Sequence, residues 1–196
     1  IPFIMEEADA LKDAVESLKD GQPIGDGIGP MIVLEMMLNV SKKNAAFETV
    51  WSKSAFEGRD LLLVKAEGPN ATVGRPGEAL QNIIPQKKPN LIIMIDAALK
   101  LEGEDSASIA KGFGAAIGGI GTERFKIEEV ATEKSIPVLA IVIKQTIHEA
   151  ITLMSEDIAK QAKTVRNQIY EMIKENSKSG ETVMIVGVGN TLGVGQ

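Results

Sequence analysis

The chain has 196 residues, 21 Lys plus Arg against 27 Asp plus Glu, a formal net charge of −6 and no cysteine. Without thiols there are no disulfides, thiolate metal sites or cysteine nucleophiles, and a mildly acidic chain with no basic block carries no nucleic-acid footprint. No apolar run is long enough to span a membrane, and a mean hydropathy near zero fits one soluble domain over residues 1–196 with a substantial core.

In chain order, Ile4, Ala8, Leu11, Val15 and Leu18 keep a helical rhythm over 3–20 that Gly21 stops. Glycines at 21, 25, 27 and 29 predict a tight loop, and Pro30 suits the first turn of a helix to about Asn39, with Met31, Leu34, Met37 and Leu38 facing the core. Residues 47–67 predict two short strands around the turn Glu57-Gly58-Arg59-Asp60. A loop then leads into a short helix after Pro76, where Arg75 could meet an anion.

The run Leu91–Ile95 is unbroken and apolar, the pattern of a strand buried on both faces, and it ends on Asp96. In an open parallel sheet the ligand crevice lies beyond the carboxyl ends of the strands, so Asp96 falls where chemistry is usually done. Glycines at 112, 114, 118, 119 and 121 follow, bare backbone that a ligand or extended peptide can approach closely. A helix over 122–134, a buried strand over 138–143, a long helix over 146–176 and a last strand ending near Gly189 complete the chain. Apolar strands alternating with helices predict an α/β fold with three layers: a mostly parallel sheet with helices on both faces. The apolar stripe of the 146–176 helix is longer than one domain usually covers, which predicts a homo-oligomer. Gly187-Val188-Gly189 has no following helix to hold a pyrophosphate, so a dinucleotide site is not supported.

Three segments carry a resemblance. Residues 89–97 (PNLIIMIDA), the tract from Gly112 with Thr122 to Ile127, and the strand-to-helix run 133–153 resemble the middle of the spore germination proteases, and Gly25 to Pro30 looks like that family's second aspartate segment. Val183 to Asn190 resembles the first strand end of the hydrogenase maturation proteases, which share the broader fold. In those relatives that strand precedes the aspartate loop, whereas here it comes last. The resemblance therefore implies a phosphorylase/hydrolase-like sheet that is circularly permuted. The whole chain also resembles an archaeal family known only as a domain of unknown function.

The resemblance implies that Asp26 and Asp96 are catalytic. Two carboxylates a few ångströms apart cannot both ionise easily; one keeps a proton, and the pair can activate water and protonate a leaving group. Peptide-bond hydrolysis without a cofactor is the expected function, with a protein or peptide substrate. Gly112, Gly114, Gly118, Gly119, Gly121, Arg124, Gly189 and Asn190 would line the substrate groove. The hydrogenase maturation proteases imply an alternative, a divalent metal such as zinc or nickel held by Asp26, Asp96 and His148. A further alternative is a binding or scaffold domain that kept the fold without activity. No membrane or nucleic-acid contact is expected of this segment. The absence of cysteine fits a cytoplasmic setting, and the opening Ile1-Pro2 leaves room for an upstream anchor.

Overall fold

The structure is a computed structural model that describes residues 2–115 and 122–195. Its helices are α1 (Pro2–Asp20), α2 (Ile28–Met36), α3 (Pro76–Lys87), α4 (Thr122–Glu133), α5 (Ile147–Ile151) and α6 (Glu156–Asn176). Its strands are β1 (Lys42–Ala46), β2 (Thr49–Phe56), β3 (Arg59–Ala66), β4 (Leu91–Leu99), β5 (Ile109–Phe113), β6 (Val138–Gln145) and β7 (Thr182–Gly187). They form a seven-stranded sheet in the order β1-β2-β3-β7-β4-β6-β5.

The three layers follow from the strand sequences. Side chains alternate between the faces of a strand, so an all-apolar run feeds two cores at once. Ile93 and Ile95 of β4, with Ile141 and Ile143 of β6 and Val183 and Ile185 of β7, pack against Ile28, Ile32 and Val33 of α2 and Ile158, Val165 and Ile169 of α6. The intervening Ile92, Met94, Ala140, Met184 and Val186 pack on the other face against Leu80 and Ile84 of α3 and Ile127 and Val130 of α4.

The sheet is mixed rather than mostly parallel. Strands β3, β7, β4 and β6 run parallel, but β1, β2 and β3 form an antiparallel meander on one flank and β5 returns antiparallel to β6 on the other. Two strands escaped the sequence reading. Strand β1, KKNAA, is polar because it is an edge. Strand β5 runs from the preceding loop into the start of the glycine tract, with Gly112 as its fourth residue.

Two helices also differ from expectation. The long stretch breaks at Thr152, where the first part ends as a single capped turn, α5, and Ser155 caps the start of α6. Every buried residue on the α6 stripe packs into the molecule's own core, so this helix leaves no apolar face for a partner subunit and the reason given for a homo-oligomer does not hold. In α2 the core face is Ile28, Ile32, Val33 and Met36, while Leu38 lies past the helix end and is exposed. Helix α2 sits unusually close to the sheet. A methyl group at Gly187 would come within 2.6 Å of the Gly29 carbonyl oxygen, and one at Gly29 within 2.7 Å of the Ile95 oxygen. This close seat brings the segment before α2 over the ends of β7 and β4.

Candidate active site

Asp26 lies in a single 3-10 turn, Gly25–Gly27, that leads into α2. The turn is held from two sides. Gln145, at the end of β6, donates its side-chain N–H to the Gly25 carbonyl at 3.0 Å. Asn190, just past β7, donates its backbone N–H to Asp26 Oδ2 at 2.7 Å. Gly189 supplies the approach: its φ is +138°, and a side chain there would run into the Asp26 carbonyl.

Asp96 is inside β4 rather than at its end, because the strand continues through Ala97, Ala98 and Leu99. The neighbouring β7 stops first. Gly187 pairs with Ile95, Val188 still donates its N–H to the Ile95 carbonyl at 2.9 Å, and the chain then turns away. Asp96 thus stands where one side of its strand loses its neighbour, yet its side chain is only 1 % exposed. On the opposite side β6 remains paired, with Val142 level with Asp96.

Arg124, in the first turn of α4, reaches both the carboxylate and the strand. Its Nε donates to Asp96 Oδ2, and a terminal nitrogen donates to the Ala97 carbonyl at 2.8 Å. Burial pushes the Asp96 carboxyl up to about 7 from an ordinary 3.8; Arg124 pulls the other way and the Asp26 charge adds to the rise. Burial raises Asp26 too, against the Asn190 hydrogen bond and the nearby Arg124 charge. Asp26, Asp96, Arg124, Gly189 and Asn190 are therefore brought together, although they come from four separate elements.

Other expected site residues are elsewhere. Gly112 pairs with Ala140 of β6, and β6 separates β5 from Asp96, so Gly112 and Gly114 do not border the carboxylates. Gly118, Gly119 and Gly121 lie outside the described residues. His148 turns to α1, where its Nε2 lies 3.0 Å from Asp13 Oδ2 in an exposed pair. It does not join Asp26 and Asp96, and among the described residues no group of three or more His, Cys, Asp and Glu is arranged to hold a metal ion. The helix start at 75–77 is already satisfied by protein: Gly77 donates its N–H to Glu123 at 3.0 Å and Arg75 pairs with Glu78.

Two residues here were not singled out from the sequence. Gln145 is fully buried, and its Oε1 has no hydrogen-bond partner among the described residues. Lys65, at the end of β3, is fully buried, donates to the Ala66 carbonyl at 2.9 Å and is lowered to about 8, chiefly by burial. The signal for both was available: a polar residue closing an otherwise apolar strand run at the sheet end where the ligand crevice forms.

Residues 24–195 match the family model described as "Domain of unknown function (DUF1512) C-terminal". No curated protein matches the chain. Among solved structures, a Mycobacterium tuberculosis proteasome-assembly chaperone homologue aligns at 14 % identity with a TM-score of 0.41, over 80 % of this chain and 93 % of that one. At that level the likeness says nothing of what this chain does. No described helix is long and apolar enough to cross a membrane.

Proposed function

We propose that this chain, which belongs to the family of the DUF1512 C-terminal domain, hydrolyses peptide bonds with Asp26 and Asp96 as its water-activating pair. The observation that carries the reading is the raised pair itself: a buried carboxylate, Asp96, and a half-buried one, Asp26, from unconnected elements at one end of the sheet, with the charge of Asp26 among the causes that raise Asp96. Strongly perturbed carboxylates cluster at working sites, where burial and neighbouring charge set the protonation that the chemistry needs. Asp26, which accepts the Asn190 N–H, is suited to be the ionised base that takes a proton from water as the water oxygen attacks the carbonyl carbon. Asp96, held near neutrality, is suited to give its proton to the departing amine. Arg124 balances the negative charge that passes between them. No cofactor is needed for these steps, and the substrate class is an unstructured protein or peptide.

The same reading takes the fold as a phosphorylase/hydrolase-like sheet in permuted order, as the likeness to germination and hydrogenase maturation proteases implies. Its support is local. Val188-Gly189-Asn190 abuts Asp26 in space although it closes the chain, which is the adjacency those relatives obtain by direct succession.

One observation favours a second reading. Asp96 is 1 % exposed and already bonded to Arg124, as a purely structural pair in a binding domain would be. The two readings separate on a single experiment. Peptide-library digestion in ¹⁸O-water, with and without chelator, should give labelled carboxyl termini whose yield ignores the chelator. Labelling lost with chelator would assign the chemistry to a metal, and no labelling with any sequence would leave the binding domain.

A further inference from the structure

Helix α1 carries a covered row of small residues and a second, apolar row that the described part of the fold leaves open. Ala10, Ala14 and Ser17 are buried where α1 packs against α5. The second row, Ala8, Leu11, Val15 and Leu18, is open, with Leu11 62 %, Val15 44 % and Leu18 50 % exposed. Counting Ile4 from the sequence, this row steps by four, three, four and three residues, which is the seven-residue repeat d-a-d-a-d of a coiled coil. A helix lying on the side of a globular domain carries a broader arc; a strict alternation of threes and fours is what a second helix demands.

We propose that this row is the seam of a parallel two-stranded coiled coil formed with α1 of a second copy of this chain. The residues choose the occupant. Val15 at an a position with Leu11 and Leu18 at d favours two strands over three or four. Lys12 and Lys19 both fall at e. In an antiparallel pair e faces e, and lysine would meet lysine across the seam. In a parallel pair e faces the g position five residues earlier on the other chain, and for Lys12 the sequence has Glu7 there. The contact with α5 uses Ala10 and Ser17 at c and Ala14 at g, beside the a and d row rather than on it. The interface is separate from the Asp26–Asp96 site and does not depend on what that site does.

Sedimentation equilibrium of the full chain tests the proposal. The expected species is a dimer, twice the 20.9 kDa chain mass, in reversible exchange with monomer. Leu11→Glu with Leu18→Glu should weaken it by more than about a hundredfold while leaving far-UV circular dichroism unchanged, since both side chains are already exposed in the single chain. Direction is read with Leu18→Cys, which introduces the chain's sole thiol. Mild oxidation should join two copies through position 18, because parallel helices in register place the two sites side by side. A monomer at every concentration, a dimer indifferent to the paired glutamates, or no covalent dimer at position 18 would each overturn the proposal.

Discussion

Asn190 and Asp26 are 164 residues apart in the chain and 2.7 Å apart in space, joined by the Asn190 N–H and the Asp26 carboxylate. Gly189 makes the bond possible, since it has the φ of +138° that turns the chain after β7 and leaves no side chain against the Asp26 carbonyl. Gly189→Ala should therefore push the two apart. The expected cost is about 1–3 kcal/mol in chemical denaturation, from positive-φ strain plus the clash. Any hydrolytic activity should fall with it. An unchanged midpoint would mean that the close approach is not needed.

The raised pKa of Asp96 has a definite sign in stability. Its folded value of about 7 lies above the ordinary 3.8, so between those values the folded chain holds a proton that the unfolded chain has lost. The contribution of Asp96 to stability is complete below about pH 4 and declines as the pH rises towards 7. Urea titrations at several pH values should show this decline as a difference between the wild type and Asp96→Asn, which has no proton to hold. A difference that grows with pH would mean that Arg124, not burial, dominates the site.

Arg124→Gln tests the counter-charge. Removing one member of a buried pair costs about 3–5 kcal/mol when the other is left charged. Asp96 can take up a proton instead, so the loss should be small at pH 5, where the acid is neutral, and should be larger at pH 8 by about 1 kcal/mol, the most that a folded value of about 7 allows. Thermal melts at the two pH values give the comparison. An equal loss at both would show that Arg124 acts through packing and its bond to the Ala97 carbonyl rather than through charge.

Much of the architecture was legible because burial writes itself into sequence. LIIMI and VLAIVI could only be strands covered on both faces, and they are β4 and β6. Edge strands do not carry that signature: KKNAA in β1 and IAKGF in β5 hold their places through backbone pairing to a neighbour, which sequence pattern does not record. The break between α5 and α6 was missed because Ile147, Ile151 and Met154 keep helical spacing across it. Only the Thr146 capping box and the Ser155 cap reveal two starts. At the site, Asp26, Asp96, Arg124, Gly189 and Asn190 were named from residue type and resemblance. His148, Gly112 and Gly114 were misplaced because strand order decides their neighbours, and strand order is a tertiary property.

The most direct measurement is the pH dependence of cleavage of an unfolded protein by the purified chain, beside Asp26→Asn and Asp96→Asn. A pair that works with one proton predicts activity that declines above about pH 7, as Asp96 ionises, and a loss of roughly 10²-fold or more in each variant. Cleavage that continues undiminished in either variant, or that still rises well above pH 7, would contradict a hydrolase built on these two carboxylates.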